Sequence, residues 1–256
     1  QLALVPMGQY VIDGYGWAIA AIVFACLVAA IIPLSMAMKD PKREAVDPNA
    51  GRQQNLREAV GEAMGHRGFI LLTVGYFVCG YQVMFLGTHL PNFISEAGQN
   101  PWVGATALSL IGLFNIIGTL TWGALGGKFR MKYLLTSIYL LRSAVLAVYI
   151  MLPITAMSTY IFAAAIGLLW LATVPLTSGL VARMFGLRYM ATLTGIVFFS
   201  HQLGSFAGAW LGGVFFETTG SYDTIWWVGI ALGLVAAALH YPIDDKPVAR
   251  VQAEGA

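Results

Sequence analysis

Arg142 lies ten residues past Lys132, in a stretch (133–152) with no other charge. Ten residues of helix advance about 15 Å, half the thickness of a bilayer's hydrocarbon layer. A guanidinium at that depth costs about 2.5–3.5 kcal/mol on insertion scales, and it cannot shed its proton. It must find acceptors. The candidates are backbone carbonyls, Asn115, an acid from another part of the protein, or an anionic solute, whose carboxylate fits the planar fork. Asn115 and His201 are further polar groups near the middle of apolar stretches. A neutral imidazole changes charge near physiological pH, so His201 can help couple proton movement. The plainer reading of both is a helix–helix hydrogen bond, worth about 0.6 kcal/mol. Gln202, Gln82 and Tyr81 fit the same description. His89, eight residues beyond Tyr81, shares its helix face and belongs at the rim.

These side chains need elements that hold them in lipid. The chain is 58% hydrophobic and 10% charged, where a soluble domain carries about 25% charge. Its net charge of +2 excludes nucleic acid as a partner class. Seven apolar runs are long enough to cross a bilayer as helices: 17–38, 68–90, 103–123, 133–152, 158–182, 191–215 and 224–241. They lack the alternation of barrel strands and are about twice as long. The fragment 1–12 reads as the tail of one more span, and a start at Gln1 inside it reads as a truncation. Expected breaks are Asp13-Gly14-Tyr15-Gly16, the segment between Pro91 and Pro101, Pro153, and Gly220-Ser221-Tyr222-Asp223. Segment 39–67 holds six basic and five acidic residues and reads as a linker with a short amphipathic helix at 53–64. Cys26 and Cys79 fall inside apolar runs and read as small buried hydrophobes. No nucleophile elbow, phosphate-binding loop or metal-spaced cluster occurs, so no cofactor, metal or catalytic residue is expected.

The basic residues sort by side. The linker has six, Lys128–Lys132 has three, Arg183 and Arg188 flank the next loop, and Lys246 and Arg250 lie in the tail, thirteen of fourteen in all. The loops around Asp13, Glu96, Pro153 and Glu217 have none. By the positive-inside rule the linker and the C-terminus face the cytoplasm, in a cell (inner) membrane. Arg183 and Arg188 are then topology determinants or, in the sharper reading, part of an inner gate, with Lys128 and Arg130. Pro175 removes a backbone donor and should bend its span beside a cavity.

Shifted by 86 residues, Gly118-Thr119 and Leu125-Gly126-Gly127-Lys128-Phe129 fall on Gly204-Ser205 and Leu211-Gly212-Gly213-Val214-Phe215. Asn115 and His201 are equivalent under the same shift. The two matched helices cross in opposite directions, each in the middle of three spans, so the pattern is two inverted triplets.

On these features the chain resembles the major facilitator superfamily over its whole length. Gly123-Ala124-Leu125-Gly126-Gly127-Lys128 is similar to that family's G-x-L-x-D-R/K loop motif, with Gly127 in place of the usual aspartate. Tyr139-Leu140-Leu141-Arg142, Trp170-Leu171-Ala172-Thr173-Val174-Pro175, His201-Gln202-Leu203-Gly204 and Gly220-Ser221-Tyr222 resemble bacterial monocarboxylate and oxalate–formate transporters. The resemblance implies an all-α membrane protein: the six-helix C-terminal half (68–242) with a tail (243–256), preceded by the end of the N-terminal half (1–38) and a cytoplasmic linker (39–67). It implies a secondary transporter, symporter or antiporter, that moves a small organic anion by alternating access with possible proton coupling. The bilayer, the solute, protons and the missing N-terminal helices would be its partners. Exporters of neutral or cationic solutes, a scaffold and a receptor stay open as alternatives; a retinal protein is excluded by the lack of a lysine in the last span.

Overall fold

In a computed structural model the described residues are 4–33 and 54–254, and among them the regular elements are helices. In chain order they are α1 (Leu4–Tyr15), α2 (Trp17–Ala29), α3 (Leu56–Gly65), α4 (Arg67–Glu96), α5 (Pro101–Gly126), α6 (Met131–Met151), α7 (Ala156–Leu169), α8 (Thr173–Phe185), α9 (Met190–Thr219), α10 (Asp223–His240) and α11 (Ala249–Glu254). Five units are long and apolar enough to cross a membrane: α4, α5, α6, α7 with α8, and α10. The expected sixth is α9, which has 30 residues but carries Ser200, His201 and Gln202 at its centre. The expected span 17–38 is α2 as far as it is described; residues 34–38 and most of the linker lie outside the described part.

Several expected boundaries shift. α1 runs through Asp13 and Gly14, and only Gly16, at φ +84°, breaks the chain before α2. Pro91 does not end α4, which continues to Glu96. There Asn92 donates to the Tyr222 hydroxyl at 3.0 Å and Phe93 packs on Trp226, so contacts with the start of α10 outweigh the donor that Pro91 removes. The linker helix forms as expected, as α3. Asn55 caps it in a reciprocal box with Glu58, and Ala59 and Ala63 are its buried side.

The helices pair in an exchange pattern. α4 packs along α9, α5 along α7, and α6 along α10. With α4, α5 and α6 as one triplet and α7–α8, α9 and α10 as the other, these pairs map onto themselves when the triplets are swapped, as an inverted repeat requires. The repeated glycines mark the crossings. A Cβ on Gly118 would lie 2.1 Å from the Leu168 carbonyl oxygen, and one on Gly204 would lie 1.9 Å from that of Phe77. Only hydrogen fits at either place, so the helix backbones touch. Of the first described helices, α1 packs against both α2 and α5.

Two apolar clusters fill the bundle. The one nearer the linker end gathers Phe69, Leu72, Tyr139, Leu180, Met184 and Val197. The other gathers Phe85, Ile94, Ile111, Phe162, Trp226 and Ile230. A buried polar layer lies at the seam between them.

Candidate functional site

The layer begins at a break in a membrane span. α7 ends at Leu169 and α8 starts at Thr173, with Trp170, Leu171 and Ala172 between them. The sequence places a bend at Pro175; the break itself lies one turn earlier. Pro175 has no N–H, so the Leu171 carbonyl loses its usual partner. Val174 N–H takes that carbonyl instead at 3.0 Å, in a tight turn, and Trp170 N–H likewise reaches back to the Gly167 carbonyl at 3.1 Å. This tightening frees the carbonyls of Leu169 and Trp170 and the amide of Leu171.

Two side chains from neighbouring helices take up the freed groups. Arg142 of α6 donates Nε to the Leu169 carbonyl at 3.1 Å, and Nη2 to the same oxygen at 2.7 Å and to the Trp170 carbonyl. Asn115 of α5 accepts the Leu171 N–H on Oδ1 at 3.0 Å, with Thr119 donating to the same atom at 3.1 Å. In lipid an unsatisfied backbone group costs several kcal/mol, so the span can break here because these two residues complete it. Arg142 is 1% exposed. Its remaining nitrogen, Nη1, reaches Gln82 Oε1 at 3.4 Å and Cys79 Sγ at 3.5 Å, and the Tyr139 ring lies 5.7 Å from its central carbon. All three guanidinium nitrogens thus have protein acceptors, and none of these acceptors is a carboxylate.

The layer extends from there. Cys79 Sγ lies 3.2 Å from Thr173 Oγ1 at the first turn of α8. Gln82 donates Nε2 to the Gly229 carbonyl at 3.0 Å, and Ser143 donates to that of Ile230 at 3.1 Å. Gly233 makes room for both, since a Cβ there would lie 2.2 Å from Ser143 Oγ and 2.8 Å from Gln82 Nε2.

The other expected residues fall at three places. His201 is buried on α9, its ring 5.0 Å from that of Tyr76 and its Nδ1 3.2 Å from Gln202 Oε1. Gln202 itself is exposed. Tyr81 is buried, its backbone against Gly204 and Gly208 of α9 and its ring beside Gly229 of α10. His89 bridges to the Ala209 carbonyl at 2.7 Å and the Tyr222 hydroxyl at 3.3 Å, at the end of the bundle away from α3. At the linker end, Lys128, Arg183 and Arg188 are exposed, and Arg188 lies over the Tyr189 ring at 5.3 Å. Arg130 pairs with Asp245 of the tail, Nε to Oδ2 at 3.2 Å and Nη2 to Oδ1. That hydrogen bond holds the Asp245 carboxyl below the usual carboxylate range, against the opposing effect of its burial.

Sequence reasoning missed Thr173, Ser143 and the buried Lys132, which donates to the Ile243 carbonyl at 2.7 Å. Thr173 and Ser143 carry no charge and no spacing signal. Lys132 carries in the sequence only the signal of a topology charge.

The chain that folds into these paired triplets matches a known family. The family model described as Major Facilitator Superfamily matches residues 1–209. The chain belongs to the major facilitator superfamily. This facilitator chain is similar to YcxA, an uncharacterized MFS-type transporter of Bacillus subtilis (strain 168), with 27% identity over 186 residues, covering 70% of the chain and 45% of the relative. It spans less than half the length of that relative. Membership makes it a multi-pass membrane protein of a transporter family, with the bilayer as its surroundings.

Proposed function

We propose that the full-length protein is a secondary active transporter that moves a small organic anion, in the first place a monocarboxylate, by alternating access. The observation that carries this reading is Arg142: a permanent positive charge, fully buried beside a broken span, whose contacts among the described residues include no carboxylate. A buried positive charge with no carboxylate partner among the described residues attracts an anion strongly in low dielectric. In this reading Arg142, its donors occupied, has a particular part. It holds the break together and supplies field, while direct contacts with the solute come from groups that can turn outward. Gln202, exposed beside His201, is the first of these. Asn115, Gln82 and Tyr81 position the wall, and helices absent from this chain supply the opposite wall.

In this reading the break between α7 and α8, with Pro175, is a bending point, and Lys128, Arg130, Arg183 and Arg188 form the cytoplasmic gate of an inner-membrane protein whose C-terminus lies inside. His201 is the proton-coupling candidate. The occupied donors of Arg142 also favour a second reading, in which the residue is purely structural and the solute is neutral or cationic.

Uptake of a labelled panel of carboxylates, neutral polyols and organic cations by the full-length protein in proteoliposomes separates them. The first reading expects carboxylate uptake that rises with an inward proton gradient. Uptake of neutral or cationic solutes alone selects the second.

A further inference from the structure

The tail after α10 does not hang free at the linker end. Ile243 is fully buried in the apolar cluster there, and its carbonyl accepts the Lys132 ammonium from the start of α6 at 2.7 Å. Asp245 is 1% exposed and bound twice by Arg130 from the loop before α6. The Asp244 carbonyl lies so close to α4 that a Cβ on Gly68 would come within 2.9 Å of it. Farther on, Val248 N–H donates to the Met184 carbonyl at 2.9 Å, and Arg250 Nη2 donates to the Phe185 carbonyl at 2.9 Å, both at the end of α8. The same Nη2 lies 3.4 Å from Glu62 Oε2 on the linker helix α3.

Four separate pieces are therefore held by one strap: the starts of α4 and α6 from the first triplet, the end of α8 from the second, and α3. The bonds are of a releasable kind. Arg130 is half exposed, so water reaches its side of the pair, while Asp245 is buried. Docking depends on several such contacts acting together.

We propose that the segment from Ile243 to Val251 is a conformational clasp. It locks the linker ends of the two triplets and the linker helix into one body, with the Arg130–Asp245 pair as its latch. While the clasp is shut, motion of this half reaches the linker undamped; when it is open, the end of α8 and α3 move independently. Because the clasp touches neither Arg142 nor Gln202, it does not depend on what the protein transports.

Hydrogen exchange read by mass spectrometry on the full-length protein in detergent tests this. Asp245→Asn is expected to speed exchange at least tenfold in three peptides together: the tail around Val248, the end of α8, and α3. Peptides from the far ends of α4, α9 and α10 keep the parent rate. Arg130→Gln gives the same pattern, and the double variant exchanges no faster than Asp245→Asn alone. If Asp245→Asn fails to fold, Arg250→Gln is expected to loosen α3 and the end of α8 together. Faster exchange in the tail alone makes the strap a passenger and overturns the proposal. So does a uniform rise across the protein, or no change at all.

Discussion

At the residue scale, Arg142 and Asn115 do one job from two sides. The guanidinium supplies donors for the carbonyls of Leu169 and Trp170, and the amide oxygen of Asn115 accepts the N–H of Leu171. Removing Arg142 leaves two buried carbonyls without donors, at about 1–3 kcal/mol each. Arg142→Met is therefore expected to lower the Tm of the purified protein by roughly 5–15 °C. Asn115→Leu, which orphans one amide, should lower it by less. The two losses should fall short of additive by about 0.5–3 kcal/mol, because the residues share one break. A double-mutant cycle by thermal unfolding in detergent measures all three quantities. Strict additivity would mean that the two residues act on separate structures. Gln82 and Cys79 have a different dependence: they accept the last guanidinium nitrogen, so their loss should weaken Arg142 without opening the break.

At the element scale, the fold rests on where side chains are absent. Gly118 and Gly204, equivalent in the 86-residue repeat, each place one helix backbone on another. Gly195 lies on α9 as well, yet nothing lies within 4 Å of a Cβ built there. Gly204→Val and Gly118→Val are expected to abolish a monodisperse folded species on size-exclusion chromatography. Gly195→Ala should fold like the parent and gain about 0.5–1 kcal/mol from its better helix propensity. If Gly204→Val folds normally, the close crossing of α4 and α9 is not what holds the bundle. Much of this level was legible in the sequence, because length and hydropathy mark a span and small residues at a repeated spacing mark a crossing. Pro91 misled, since a proline reads as a helix end until the partner that overrides it is known. Here those partners are Tyr222 and Trp226, more than 130 residues away. Pro175 marks a disturbance in the sequence but does not locate a break at Trp170–Ala172, because the freed carbonyls lie up to six residues before the proline. The polar layer was half visible: a lone charge such as Arg142 announces itself, whereas Thr173, Ser143 and Cys79 look like ordinary small residues until packing brings them together.

At the scale of the whole molecule, the paired triplets form a scaffold whose middle layer is polar and whose linker end is tied by the tail. One face of α9 stays open, with exposed Phe199, Gln202, Phe206 and Trp210. Under the proposed function, the charge beside the break selects the solute. The most direct measurement is carboxylate uptake by the full-length protein in proteoliposomes, with the parent, Arg142→Lys and Arg142→Gln side by side and each variant checked for normal insertion. An electrostatic role for Arg142 requires that the parent take up at least one small carboxylate, that Arg142→Lys retain part of that uptake, and that Arg142→Gln lose it at least tenfold. Equal uptake by Arg142→Gln and the parent, or uptake of neutral and cationic solutes only, would contradict it and leave Arg142 as the staple of a broken helix.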